Sequence, residues 1–217
     1  MDANVDAIVF DLDGTLVDTV PARIRAWREV FAEEGIRVED AMLAPMIGMD
    51  GRRLAREIAG EGAELDHDEA DRIDRAAGAR FDALNGDPRL LPGVREALAR
   101  LDAASVSWAI ATSSRAEQVA PSLGALGLAH APRVVDGSRV VNAKPAPDLL
   151  LLAADELGAD PARTWYVGDA TWDMRAAVAA GMPAIGVLAG SAVDEEALRE
   201  AGATVVLADL GQLPIPG

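Results

Sequence analysis

The sequence contains no cysteine, and Lys144 is the only lysine among its 20 basic residues. Without cysteine the protein can form neither a disulfide nor a thiolate nucleophile. No apolar run approaches the roughly 20 residues of a membrane-spanning helix, and the N-terminus lacks the basic and apolar stretches of a signal peptide. We therefore expect a cytoplasmic protein without a membrane partner.

Positive charge is scarce as well. The 36 acidic residues outnumber the basic ones and give a formal net charge of −16. Because the phosphate backbone selects basic surfaces, this balance argues against a nucleic-acid partner. A chain of 217 residues that is 50% apolar can bury one sizeable core, with or without a small second domain. We expect a monomer or a small homo-oligomer.

Most of the chain alternates between strand and helix patterns. Short apolar runs with β-branched residues predict buried strands, and amphipathic segments that end at glycine predict helices. Such alternation indicates an α/β fold, with a parallel sheet covered by helices on both faces. The predicted strands are 7–10, 106–111, 134–135, 164–167, 184–187 and 204–207, and the predicted helices are 114–126, 145–157 and 171–180.

Residues 17–87 do not follow this alternation and show only helical patterns, at 21–34, 51–59 and 66–84. The last of these opens on Asp66 and Glu69, which are spaced as a capping box. We call residues 17–87 the helical insert. They are predicted to form a small all-helical domain, whereas 1–16 and 88–217 form the core.

Carboxylates and hydroxyls follow the predicted strands. Asp11 and Asp13 follow the first strand, Thr112 follows the second and Asp169 the fourth. In open parallel sheets ligands bind beyond the carboxyl ends of the strands, so these side chains are expected to meet. A lone Asp-x-Asp-Gly segment is more often a turn than a metal site, but the other segments favour a functional site here.

The oxygen-rich residues suit a hard dication such as Mg²⁺, which takes few protein carboxylates and keeps several waters. Asp11 and Asp169 are predicted to supply carboxylates, and Asp13 a backbone carbonyl. Asp173, on the next turn, would either contact the metal or brace the loop.

A phosphoryl group is the anion that such a site would hold. Lys144 offers it a compact positive charge, and Thr112 and Ser113 offer a hydroxyl and free N–H groups at a helix start. With phosphate so held, Asp11 is the predicted nucleophile, because the metal keeps it ionised. Asp13 would protonate the leaving oxygen and later deprotonate the attacking water.

The segments Asp11–Thr15, Thr112, Lys144-Pro145 and Gly168–Asp173 together resemble, in order, the four motifs of the haloacid dehalogenase superfamily. The resemblance covers nearly the whole chain. It implies a Rossmann-like core, Mg²⁺, an aspartyl-phosphate intermediate, and a cap, here the helical insert, that closes over the substrate.

Branches of the superfamily differ at a few positions. Dehalogenases generally lack the second aspartate, Asp13, and phosphonatases use a cap lysine that this chain does not have. The hinge and first cap helix resemble those of β-phosphoglucomutases at Asp18-Thr19 and Arg25–Trp27. Arg23, however, stands where those enzymes carry histidine, and Gly168 where they carry glutamate.

The sequence is therefore most similar to phosphoglycolate-phosphatase-like hydrolases, and we predict a Mg²⁺-dependent phosphatase acting on a small phosphorylated metabolite. A β-phosphoglucomutase-type isomerase and a non-catalytic metabolite-binding protein are the alternatives. Candidate substrate contacts are Arg52 and Arg53, in a polar loop between helices, and Arg23. Arg52 and Arg53 fit solvated residues at a helix start better than substrate contacts, and Arg23 could simply face solvent.

Overall fold

A computed structural model of the chain, which describes residues 5–60 and 65–215, has a six-stranded parallel sheet with strand order β3-β2-β1-β4-β5-β6. The strands are β1 (Ala7–Phe10), β2 (Ser107–Ala111), β3 (Arg133–Val135), β4 (Thr164–Gly168), β5 (Ala184–Val187) and β6 (Val205–Leu207). The order reverses between β1 and β4, so a ligand crevice is expected beyond the ends of these two strands. The predicted α/β fold with a Rossmann-like parallel sheet is confirmed.

Alternate residues of each central strand enter two separate apolar clusters, one on either face of the sheet. Ile8 and Phe10 of β1 belong to the first cluster, and Val9 belongs to the second. All three side chains are fully buried. A strand that is apolar on both faces is typical of a parallel sheet covered by helices on both sides.

The helices of the core cover both faces. Helices α5 (Val94–Ala103) and α6 (Ala116–Leu126) contribute their buried side chains to the first cluster. Helices α7 (Asp148–Leu157), α8 (Thr171–Ala180) and α9 (Glu195–Glu200) contribute buried apolar side chains to the second. None of the helices in the described part of the chain is both long and apolar enough to cross a bilayer.

The described residues of the helical insert form helices α1 (Val20–Glu33), α2 (Asp40–Leu43), α3 (Gly51–Ala59) and α4 (His67–Leu84), with a short 3-10 turn at Ala44–Met46. Most of their buried side chains form an apolar cluster of their own, which also takes in Ala170 and Trp172 at the start of α8. The division of the chain into a core and a cap domain stays a prediction.

Most predicted elements agree with the structure to within two residues, and both halves of the predicted capping box at Asp66 and Glu69 are present. Two helices begin later than predicted. Helix α7 begins at Asp148 because residues Lys144 to Pro147 form turns, and α6 begins at Ala116. Helix α6 also continues through Pro121, where a kink or restart was expected.

Candidate active site

Asp11 lies directly after β1, at the point where the strand order reverses. Its backbone N–H donates to the carbonyl of Val167 at 2.8 Å, so the parallel pairing with β4 extends to this residue. Its carboxylate accepts a hydrogen bond from Lys144 Nζ at 2.6 Å, and only 6% of the residue is exposed. The central strands therefore fix the position of this carboxylate.

Asp13 is held by three donors. Its Oδ1 accepts from Thr19 Oγ1 at 2.7 Å, and its Oδ2 accepts from Ser114 Oγ at 2.6 Å and from Arg23 Nη2 at 3.2 Å. Arg23 Nη2 also donates to Ser114 Oγ at 2.8 Å, and its guanidinium lies 3.6 Å from the centroid of the Phe81 ring. Thr19 and Arg23 belong to the insert, so Asp13 is anchored from both parts of the chain.

Lys144 is 2% exposed, and its ammonium group lies between two carboxylates. Its Nζ donates to Asp11 Oδ1 at 2.6 Å and to Asp173 Oδ1 at 2.8 Å. Burial alone would lower the pKa of Lys144, but the charges of Asp11 and Asp173 outweigh it and raise the pKa well above its usual value. Lys144 is therefore a fixed positive charge at the end of the sheet.

Asp173 has hydrogen-bond donors on both of its carboxylate oxygens. Oδ1 accepts from Lys144 and from the Tyr166 hydroxyl at 3.1 Å. Oδ2 accepts from the backbone N–H groups of Asp169 at 3.2 Å and Ala170 at 2.9 Å. These contacts favour a role in bracing the loop between β4 and α8.

Asp11, Asp169 and Asp173 form a cluster whose carboxylate oxygens lie within 4.8 Å of one another. Thr15 Oγ1 donates to Asp169 Oδ1 at 2.8 Å. Burial, opposed by the nearby Lys144, raises the pKa of Asp11 to about 7, and burial likewise raises the pKa of Asp169 well above its usual range. A cluster of buried carboxylates with too little compensating charge suits a hard divalent cation.

The Asp13 side chain does not belong to this cluster. Its prediction as a metal ligand concerned the backbone carbonyl, and that prediction stays open.

Thr112 and Ser113 lie at the end of β2, beside β1. The Thr112 hydroxyl accepts from the backbone N–H of Ser114 at 3.1 Å, which shapes the turn before α6. The Ser113 hydroxyl oxygen is buried and has no hydrogen-bond partner among the described residues. Buried polar atoms are normally paired, so this hydroxyl points to a missing polar ligand.

A cavity of about 800 Å³ opens between the carboxyl end of the sheet and the insert, and Asp11, Asp13, Ser113, Lys144 and Asp169 all line it. Its volume is in the range of small-molecule sites.

The three candidate substrate arginines differ in their positions. Arg23 and Arg52 line the cavity. Arg53 is not among the lining residues: it donates to Glu57 at 2.6 Å, and its guanidinium lies 5.1 Å from the centroid of the Trp172 ring. The structure thus brings two of the three arginines to the cavity. Arg53 lies away from the lining, and this position disfavours it as a substrate contact.

Sequence reasoning assigned no hydrogen-bonding role to four side chains that hold the site together: Thr15, Thr19, Ser114 and Tyr166. Thr15 and Thr19 carry a usable signal, since each precedes an apolar residue, Leu16 or Val20, and the structure buries all four. Tyr166, the only tyrosine, lies on a buried strand where a hydroxyl needs a partner.

A family model described as haloacid dehalogenase-like hydrolase matches residues 8–187. The chain belongs to the haloacid dehalogenase-like hydrolases. The resemblance stated from the four motifs is therefore confirmed, and with it the prediction that the protein is a hydrolase of this type.

Curated relatives of this haloacid dehalogenase-like hydrolase are named phosphatases. A phosphoglycolate phosphatase of Xanthomonas campestris pv. campestris is 33% identical over 189 residues, which cover 85% of this chain and 83% of the relative. An N-acetylmuramic acid 6-phosphate phosphatase of Pseudomonas putida is 30% identical, covering 93% and 91%. A fructose-1-phosphate phosphatase of Escherichia coli is 34% identical, covering 83% and 95%.

Solved structures resemble the whole chain. A hydrolase from Pseudomonas syringae has a TM-score of 0.88 at 34% identity, covering 96% of this chain and 95% of that one. A β-phosphoglucomutase from Clostridium difficile has a TM-score of 0.81 at 23% identity, covering 97% and 93%. The second likeness concerns the fold alone.

Proposed function

We propose that this haloacid dehalogenase-like hydrolase is a Mg²⁺-dependent phosphatase that hydrolyses a phosphate monoester of a small metabolite through an aspartyl-phosphate on Asp11. The observation that carries the proposal is the position of the Asp11 carboxylate. It is fixed by β1, contacts Lys144, and lines a cavity large enough for an organic ester. The names of the curated relatives support the same class of reaction.

The phosphoryl group would lie between Asp11 and the turn after β2. Lys144 supplies a positive charge, and its contacts with the carboxylates of Asp11 and Asp173 fix the position of its ammonium group. The Thr112 side chain shapes the turn, and the unpaired Ser113 hydroxyl is available to donate to a phosphoryl oxygen. Charge-assisted hydrogen bonds of this kind bind and orient the group for in-line attack.

The reaction has two steps. In the first, an Asp11 carboxylate oxygen forms a bond to phosphorus while the bond to the leaving oxygen breaks, and Asp13 gives that oxygen a proton. In the second, water attacks the aspartyl-phosphate, Asp13 takes a proton from the water, and Asp11 is released together with inorganic phosphate. Thr19, Ser114 and Arg23 hold the Asp13 carboxyl in a single orientation for both proton transfers.

The metal would be held by the carboxylates of Asp11 and Asp169 and by the Asp13 backbone carbonyl, with Asp173 bracing the loop that carries Asp169. When bound, Mg²⁺ supplies charge that offsets the repulsion between the phosphoryl group and the surrounding carboxylates. Residues 17–87 would act as the cap and exclude water, with Arg52 and Arg23 at its inner surface. A cytoplasmic location and a monomer or small homo-oligomer complete the proposal.

The test is phosphate release from a panel of phosphate esters, measured with Mg²⁺ and again after chelation. We expect release with Mg²⁺ and its loss with the chelator. Conversion of β-glucose 1-phosphate to the 6-phosphate without free phosphate would instead indicate a mutase. Binding of phosphate esters with no turnover under any condition would indicate a binding protein.

A further inference from the structure

The part of the cavity beyond the phosphoryl site contains four arginines among the described residues, and each already contacts a carboxylate. Arg23 contacts Asp13 at 3.2 Å, and Arg52 contacts Asp50 at 3.1 Å. The two remaining pairs are Arg115 with Asp74, at 2.8 Å, and Arg75 with Asp71. Each lining arginine therefore already has a carboxylate partner, and a second anionic group on a substrate would have to compete with that partner.

Carboxylates in the same region remain available. Asp82 and Glu117 line the cavity and form no salt bridge with any residue that the structure describes. Asp74 uses Oδ2 for Arg115, whereas its Oδ1 has no hydrogen-bond donor in the described part of the chain. Burial raises the pKa of Asp74, as expected for a carboxylate whose charge is only partly compensated.

This arrangement disfavours a second anionic group on the substrate, because like charges in a partly buried site repel. An ammonium group would be attracted to the same carboxylates, but it can only donate hydrogen bonds and cannot use the donors in this region. Hydroxyl groups fit better, because each can donate to a free oxygen such as Asp74 Oδ1 and accept from an amide such as that of Gln118, which also lines the cavity.

We propose that the cavity selects phosphate esters of neutral, hydroxyl-bearing alcohols, such as sugars and polyols, over esters that carry a second anionic group, and that Asp74 is a specificity-determining residue. The proposal rests on the phosphatase function proposed above and deepens it. Specificity here comes from an unfavourable contact with the wrong substrate as much as from contacts with the right one.

The test compares substrates that differ in one group. Sorbitol 6-phosphate and 6-phosphogluconate differ at one terminal carbon, which carries a hydroxyl in the first and a carboxylate in the second. Glycerol 1-phosphate and 3-phosphoglycerate form a smaller pair of the same kind. We expect kcat/KM to be about tenfold higher for the neutral member of each pair. Equal values, or a preference for the carboxylate, would overturn the specificity proposal.

Variants test the role of Asp74. Asp74→Asn should lower the preference for the neutral member about fivefold, because the variant removes a nearby negative charge while keeping the size of the side chain. The ratio of the two kcat/KM values within a substrate pair is used because it cancels any general loss of activity caused by a weakened contact between residue 74 and Arg115. Asp82→Asn, which breaks no salt bridge, should shift the ratio in the same direction. Asp68→Asn, on the same helix outside the cavity lining, should leave it unchanged.

Two further substrates keep the proposals separable. p-Nitrophenyl phosphate carries neither a second anionic group nor a hydroxyl, and it reports phosphatase activity whatever the specificity. Failure to release phosphate from this ester and from every other ester would overturn the phosphatase function, and this inference with it. Hydrolysis of it together with an unchanged ratio in Asp74→Asn would overturn the role of Asp74 alone. Faster hydrolysis of ethanolamine phosphate than of glycerol 1-phosphate would show selection for a cation and would also refute the inference.

Discussion

The indole N–H of Trp172 donates a hydrogen bond to the carbonyl of Pro45 at 2.9 Å. Trp172 is the second residue of α8, the helix that follows the Asp169 loop, whereas Pro45 lies in the helical insert. The centroid of the indole ring also lies 5.1 Å from the guanidinium of Arg53 in the insert and 4.8 Å from that of Arg175 in the core. A single side chain therefore connects the loop that carries Asp169 to the helical insert.

Replacing Trp172 by phenylalanine should weaken the contact between core and insert. The variant keeps an aromatic ring but loses the hydrogen bond, which is worth about 1 kcal/mol, so KM for a phosphate ester should rise about fivefold with little change in kcat. Steady-state kinetics provide the measurement. Trp165→Phe is the matched control, because Trp165 is packed within the sheet's own cluster and should affect stability without affecting KM. An equal rise in KM for both variants would contradict this role of Trp172.

Replacing Asp11 by asparagine should abolish turnover, because the amide cannot form the aspartyl-phosphate. We expect phosphate release to fall by about 10⁴-fold, on the scale observed when a covalent nucleophile is removed. Asp18→Asn is the control, since Asp18 is exposed and lies outside the cavity lining. Full activity in Asp11→Asn would rule out the covalent mechanism.

Replacing Asp13 by asparagine should separate the two chemical steps. With an alkyl phosphate the rate should drop by about 10²–10⁴-fold, because the leaving oxygen receives no proton. p-Nitrophenolate leaves without protonation, so stopped-flow absorbance should show a burst of one equivalent followed by slow turnover. If both esters lost activity equally and no burst formed, Asp13 would have a structural role rather than a role in proton transfer.

Metal binding should strengthen as the pH rises. In the metal-free protein the pKa of Asp11 is raised from 3.8 to about 7, so between these values the folded state holds a proton that the unfolded chain releases. This group therefore lowers the free energy of unfolding as pH rises through that window. Mg²⁺ needs the ionised carboxylate, and its stabilising effect should accordingly grow over the same window.

The measurement is the increase in melting temperature on adding Mg²⁺, compared between about pH 5.5 and about pH 8. The increase should be larger at the higher pH, and Asp11→Asn should show a smaller pH dependence. An increase that is independent of pH in the unaltered protein would show that protons and metal do not compete at this carboxylate.

Much of the fold follows from local pattern. Strand β5 and helices α3 and α8 have the predicted bounds because apolar periodicity and terminal glycines specify them locally. Helix α5 is absent from the predicted elements, although Val94, Leu98 and Leu101 have helical spacing. The late start of α7 depends on the turns around Pro145, which periodicity does not describe.

The sequence predicts which residues meet at the site only where those residues lie at the ends of neighbouring strands. Asp11, Thr112 and Asp169 meet because parallel strands end at one edge of the sheet. The partners of Arg23 and Arg53 were not predictable in this way. The contact of Arg23 with Asp13 depends on how α1 packs against the core, whereas Arg53 and Glu57 are four residues apart on α3 and pair within that helix.

Lys144 also has a practical consequence for work with this protein. It is the only lysine in the sequence and is 2% exposed. Reagents that acylate primary amines, including common dyes, crosslinkers and immobilisation resins, therefore find no accessible lysine side chain on the folded molecule. Acylation at position 144 would itself report unfolding or opening, and one lysine introduced on the surface would give a unique attachment point.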